Sequence, residues 1–182
     1  MAQSLFALLA MILAVNFAVS VNQWYVAFQR ATLKREIEEM AQSVAIETME
    51  IIRTRAFDQA VVDGLTNGTV NDLTLFSDTT DFGTPSNLHC QAFGGTATCD
   101  DIDDFHNQRV LRPFVMGQDT VWFNVGITVE YVDYNALGEA VRATSPTAFK
   151  RVTIAVQDDW RNTLDPFLSV PIRLQRVFAY GY

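Results

Sequence analysis

Between Leu5 and Phe28 the chain runs for 24 residues without a charge, interrupted by polar side chains only at Asn16, Ser20, Asn22 and Gln23. A hydrocarbon core of about 30 Å takes about 20 apolar residues at 1.5 Å each, so this run is long enough to span a bilayer. Trp24 and Tyr25 stand near its end, where an interfacial aromatic belt would sit. No Gly or Pro occurs before Gly64, so nothing stops a helix where the apolar run ends. Beyond it Leu33, Ile37, Met40, Val44 and Ile51 recur at helical spacing, with Ala41, Ala45 and Ile52 beside them, which makes one apolar stripe. Lys34 with Glu38, and Arg35 with Glu39, are i,i+4 pairs on the opposite side. The spacing predicts one helix over residues 4 to about 57, roughly 80 Å long. Its first part, residues 1–29, is apolar nearly all round and wants lipid or other helices. Its second, residues 30–57, is amphipathic and wants a domain to lie on.

Composition fits a folded domain with an appendage. Of 182 residues, 49% are hydrophobic and 19% charged, and mean hydropathy is +0.09, which excludes a disordered chain and a polytopic membrane protein. The net charge of −8 arises in residues 58–108, which hold nine Asp and no Lys or Arg. No basic run is present to neutralise phosphates, so nucleic acid is not an expected partner. Gly-x-Ser-x-Gly, phosphate-loop and zinc-protease motifs are absent from the sequence, and the chain is not expected to be an enzyme or to hold a cofactor.

Residues 58–108 read as a long acidic, irregular connection with turn signals at Asp63-Gly64, Asn67-Gly68 and Gly94-Gly95, pinned to a core by Leu73, Leu75 and Phe76. From there the period changes to two. Val121, Phe123, Val125, Ile127, Val129 and Tyr131 alternate with polar residues, Val152, Ile154 and Val156 repeat the pattern, and Ile172, Leu174, Phe178 and Tyr180 follow it. The run Arg109 to Met116 contains Pro113 and belongs at a sheet edge or bulge. A short helical turn is expected within residues 135–146. Strands in succession without intervening helices predict an antiparallel sheet over residues 109–182, with the amphipathic half-helix as its cover. The fold class is therefore α+β: a long N-terminal α-helix, its apolar half protruding, packed by its second half on an antiparallel β-sheet head.

Two ordinary readings of the N-terminal segment compete. A secretory signal peptide has a cleavage-like Ala18-Val19-Ser20 but lacks a basic region before the apolar run. A simple signal anchor meets Arg30, Lys34 and Arg35 after the span, which by the positive-inside rule places the head in the cytoplasm, against the cysteine pair downstream. Removal of a basic leader before Met1 resolves the conflict, and Met1 ahead of Ala2 is then expected to be a processed N-terminus.

A helix apolar first and amphipathic after, followed by an irregular loop, a cysteine-closed loop and an antiparallel sheet, resembles the type IV pilin and pseudopilin family. The sequence content of the resemblance lies in residues 1 to about 55, where Met1-Ala2-Gln3-Ser4 and the apolar run from Leu5 look like a processed pilin start. The resemblance implies a prepilin peptidase, a methylated N-terminus, passage through the inner membrane, a pilus assembly machinery, and a homopolymer held together by the N-terminal helices. Two features depart from the family pattern. Leu5 stands where a glutamate is usual, and Asn22 lies near the position where many members have a proline. The departures bear on how subunits register and on whether the helix unwinds around Asn16, Ser20 and Asn22.

Candidate sites follow from residue type and spacing. Leu5, Phe6, Leu9, Ile12, Leu13, Phe17 and Val21 are the expected filament-core contacts; Phe6, Phe17 and Phe28 recur every eleven residues and share a helix face. Cys90 and Cys99 enclose eight residues with Gly94-Gly95 at the middle, which suits a disulfide in an oxidising compartment; zinc held with His89 and His106 is the weaker alternative, because the spacing is no usual metal knuckle. Asp100, Asp101, Asp103 and Asp104 offer oxygen ligands for calcium, against the simpler reading of a solvated acidic loop. Asn67-Gly68-Thr69 is a formal glycosylation acceptor and equally an Asn-Gly turn. The expected function is a structural subunit of an extracellular type IV pilus-like filament at the cell surface. The alternatives are a pseudopilin of a secretion system and a monomeric, membrane-anchored extracytoplasmic binding domain.

Overall fold

The computed structural model describes residues 2–65, 69–75, 82–83, 88–158 and 167–181. The chain divides into two compact units, Met1–Glu38 and Glu39–Tyr182, and helix α1 (Ala2–Arg53) continues from the first into the second.

In the first unit every described side chain from Phe6 to Glu36 is exposed. Two polar residues in this stretch bond back to their own helix. Asn16 Nδ2 donates to the carbonyl of Ile12 at 2.9 Å and Thr32 Oγ1 to that of Phe28 at 3.1 Å, each one turn back. Such back-bonding lets a polar side chain sit in an apolar stretch without leaving its donors bare. Lys34 and Glu38 form the expected i,i+4 pair at 3.8 Å.

The second unit is helix on sheet. Five antiparallel strands, β1 (Arg109–Met116), β2 (Asp119–Tyr134), β3 (Ala140–Arg142), β4 (Phe149–Asp158) and β5 (Ile172–Ala179), form a sheet in the order β1-β2-β4-β5, with β3 paired to the far end of β2. The Met116↔Asp119 register leaves a two-residue turn, Gly117-Gln118, whose Gly117 has φ 64°, the left-handed value such hairpins need to match strand twist. Pro113 lies in edge strand β1 opposite Trp122, where a missing N–H costs no second ladder.

The core lies between the inner sheet face and the last four turns of α1. Met40, Ala41, Val44, Ala45, Met49 and Ile52 are buried from the helix, and Phe123, Val125, Ile127, Val129, Val152, Ile154 and Val156 from β2 and β4. Each large apolar side chain so buried contributes about 1.5–3 kcal/mol. Thr48 shares this helix face at no exposure because its hydroxyl donates to the Val44 carbonyl at 2.7 Å. Leu33, by contrast, is 47% exposed and Ile37 half-buried, so the buried stripe begins at Met40, two turns later than the sequence spacing implies. Glu47 accepts from Arg112 of β1 and Glu50 from Arg176 of β5, the latter at 3.3 Å. Ion pairs with an exposed partner are worth about 0–1 kcal/mol, so packing rather than these contacts holds the helix on the sheet.

Three boundaries differ from expectation. The helix ends at Arg53 rather than near residue 57, because Ala56 leaves it to bridge Asp101: its N–H donates to the Asp100 carbonyl at 3.1 Å and its carbonyl accepts from Ile102 N at 3.0 Å. Residues 135–146 hold strand β3 instead of a helical turn, after an Asn135 side chain that accepts from the N–H groups of Leu137 and Glu139. The acidic connection is partly ordered, with a helix α2 (Gln59–Val62) and 3-10 turns at Val70–Asp72, Gln91–Phe93 and Asp103–Phe105. Leu73 is buried as expected, Leu75 is exposed, and Phe76 lies outside the described residues.

Candidate functional site

Two features stand apart from the ordinary packing, one in each unit. The first is the apolar surface of α1. Phe6, Leu9, Ile12, Leu13, Phe17 and Val21 are 71, 53, 52, 61, 72 and 49% exposed, so none is used by the chain itself. At 3.6 residues per turn these six fall within about half of the helix circumference. Leu8, Met11, Val15 and Val19 on the remaining surface are exposed as well, which makes the segment apolar all round. Trp24 and Phe28 stack with ring centroids 6.0 Å apart near its end. Soluble monomers rarely expose contiguous apolar surface of this extent, which marks contact with lipid or protein. By length and composition this helix suffices to cross a membrane. Leu5 lies in the helix with its side chain outside the description, and Met1 and Asn67 lie outside the described residues.

The second feature is a charged cluster sealed inside the head. Lys150, second residue of β4, has no exposed surface. Its ammonium donates to the Phe57 carbonyl at 2.7 Å, to Asp58 Oδ2 at 2.6 Å and to Asp103 Oδ1. It also lies over the rings of Phe57 and Tyr131, at 4.6 and 4.9 Å from their centroids. Asp58 is an organising group. It caps α2 by accepting from Ala60 N, receives both the N–H and the hydroxyl of Thr74, and accepts from Tyr131 Oη at 2.9 Å. Asp101 Oδ1 accepts from Asp104 N at 3.0 Å, and Asp104 Oδ2 accepts from Asp100 N at 3.0 Å. Asp101 Oδ2 and Asp103 Oδ2 are buried with no hydrogen-bond partner among the described residues.

These surroundings split the carboxyls into two kinds. Burial alone would raise Asp58, but the Lys150 charge and hydrogen bonds from Lys150, Tyr131 and Thr74 outweigh it and hold the carboxyl below its ordinary range. Burial pushes Asp103 up to about 8 despite the attraction of Lys150, with Asp101 and Asp58 adding to the rise. Burial and then the Asp104 charge push Asp101 up to about 7. At neutral pH the cluster therefore holds Lys150 against an ionised Asp58, beside a protonated Asp103.

The acidic loop is thus not the solvated segment that its composition implies. Asp101 and Asp103 are both buried, and Lys150 reaches Asp103 from the sheet. The four carboxylates do not converge on a common point, and no grouping of His, Cys, Asp and Glu able to hold a metal occurs among the described residues. Cys90 and Cys99 form a disulfide, with a Cα separation of 5.5 Å. That removes both sulfurs from the zinc alternative. His89 Nδ1 lies 3.3 Å from Gln108 Oε1, and His106 Nδ1 accepts from Val129 N at 3.1 Å, its pKa lowered by burial. In the cysteine loop Gly95 has no room for a side chain, since a Cβ there would lie 1.9 Å from the His89 carbonyl oxygen.

Sequence reasoning missed Lys150 and Asp58. The signal for Lys150 was its parity: it falls in phase with Val152, Ile154 and Val156, the buried face of β4. For Asp58 the signal was its place as an N-cap ahead of Gln59-Ala60-Val61-Val62. Compared with protein-family models, curated proteins and solved structures, the chain has no match in any of the three.

Proposed function

We propose that this chain is a structural subunit of an extracellular type IV pilus-like filament, with the apolar half of α1 packed against the same segment of neighbouring subunits. One observation carries the reading: from Phe6 to Phe28 the helix is apolar all round and wholly exposed, so its surface has no use within the chain. Burial of that surface contributes about 25 cal/mol per Å². The same segment suits lipid before assembly, because it satisfies its own backbone and its Asn16 amide bonds its own turn. A head-to-tail, open association is the symmetry a fibre requires. The disulfide supports an oxidising compartment for the head. The resemblance in residues 1 to about 55 supplies the processing by a prepilin peptidase and the passage through the inner membrane.

The test is to shear cells that make the chain, collect the released material and image it by cryo-electron microscopy. A fibre whose repeating unit is this chain is the expected result. Recovery of the chain only as single copies in the membrane fraction overturns it in favour of an anchored binding domain, and short membrane-bound assemblies favour a secretion pseudopilin.

A further inference from the structure

We propose that Lys150 and Asp103 join as an intramolecular isopeptide, an amide between the lysine Nζ and the aspartate Cγ that ties β4 to the 3-10 turn ahead of β1. The inference concerns the head alone and is independent of the filament reading.

The geometry supplies what such a condensation needs. Lys150 Nζ is in hydrogen-bond contact with Asp103 Oδ1, which places the amine one bond from the acyl carbon. Well-oriented intramolecular reactions reach effective molarities on the order of 10⁵ M or more, and this contact starts the pair from that proximity. Both side chains have no exposed surface, and the rings of Phe57, Phe82 and Tyr131 around Lys150 are buried, so a released water is not returned to the bond by bulk solvent. The two carboxyls touching Nζ are not equivalent. Asp58 has both oxygens occupied by hydrogen bonds from Ala60, Thr74, Tyr131 and Lys150 and stays ionised; a carboxylate anion is a poor acyl donor, and its 2.6 Å contact with Nζ makes it the group placed to take the ammonium's proton. Asp103 has one oxygen on Lys150 and the other without a partner among the described residues, and burial favours its neutral acid, the form whose carbon accepts a nucleophile.

The step balances within the cluster. The Lys150 ammonium gives one proton to the Asp58 carboxylate, and the neutral amine attacks Cγ of the Asp103 acid. The nitrogen loses a second proton to the departing Asp103 hydroxyl, the C–O bond breaks, and one water leaves. The products are an amide and a protonated Asp58, so the site is neutral before and after, and neither oxidant nor reductant takes part. A buried ion pair is exchanged for an uncharged bond, which removes the desolvation cost of two buried ions.

The test is mass spectrometry of the full chain extracted from membranes or fibres, reduced and digested with trypsin. The expected product is a branched peptide joining residues 56–109 to residues 143–151, lighter than the two peptides by one water, with no cleavage after Lys150. In Asp103→Asn the asparagine should lose ammonia and give a branched peptide of the same mass. In Asp58→Ala the two peptides should be recovered separately. The proposal is overturned if wild-type peptides 56–109 and 143–150 are recovered unlinked, with cleavage after Lys150, or if a missing water maps to a succinimide at Asp63-Gly64 with Lys150 free. The wild-type digest decides the matter even where a variant fails to fold.

Discussion

Replacing Leu9 by lysine puts the filament reading under the strongest strain. Leu9 is 53% exposed, so burying the remainder against a neighbouring helix contributes about 1 kcal/mol, half of the range for a whole leucine. A lysine at the same place, enclosed by apolar neighbours, costs several kcal/mol in desolvation without an acidic partner, since the run from Leu5 to Phe28 holds no charge. Together these make a loss of about 4 kcal/mol per subunit added, which is about a thousandfold in the association constant at 1.4 kcal/mol per factor of ten. Membrane insertion should survive. One lysine costs at most about 3.5 kcal/mol there, while the eleven remaining Leu, Ile, Phe and Val of the run supply about 0.3–0.6 each and roughly offset it. The assay compares the sheared surface fraction with the membrane fraction by immunoblot for wild type, Leu9→Lys and the volume-conserving Leu9→Met. The lysine variant should be present in membranes and absent from the sheared fraction, with the methionine variant in both. Fibres of normal yield from Leu9→Lys would refute the burial of this face.

Three further outcomes concern the head. Asp101 titrates near 7 in the folded state against 3.8 ordinarily, because burial and then Asp104 disfavour its charge; the folded chain holds that proton longer, so the contribution is full below about pH 4 and lost as pH rises toward 7. Denaturation followed at about pH 5 and pH 7.5 should show stability falling over this window, and Asp101→Asn should flatten the slope; an unchanged slope contradicts the assignment. Converting Cys90 and Cys99 together to serine should cost about 2–3 kcal/mol, as expected from the closure entropy of a loop of this length, measured as a drop in the denaturant midpoint. Gly95→Ala should destabilise the cysteine loop, because the added methyl meets the His89 carbonyl at 1.9 Å, and thiol labelling of the native protein with and without mild reductant should detect an easier reduction of the Cys90–Cys99 bond.

Much of the architecture was legible because it rests on local repeats. The absence of Gly and Pro through residue 63 and the change from helical spacing to alternation after Arg109 are enough to place α1 and strands β1, β2, β4 and β5, since each pattern has one backbone that puts its apolar residues on one side. Pro113 placed β1 at an edge by the same local logic. The cysteine spacing was legible as a disulfide because loop and chemistry both lie within ten residues. The short strand β3 was not, because three residues carry too little alternation to outweigh a turn composition; its existence depends on the free edge that β2 offers at Val132 to Tyr134.

The buried cluster was decided by tertiary structure alone. Nothing near Lys150 in the sequence is acidic, and no Lys or Arg occurs from Asp58 to Gln108, so the composition of residues 58–108 reads as an acidic loop in water. Lys150 meets Asp103 across 47 positions and Asp58 across 92, and only when the sheet forms and the connection folds over its end do the three become neighbours. By itself the sequence determined the long helix, the four longer strands and that the first half of α1 is apolar nearly all round. Which charges would be buried, and against one another, followed from long-range packing, because the cost of burying an ion is met by a partner that no local pattern records.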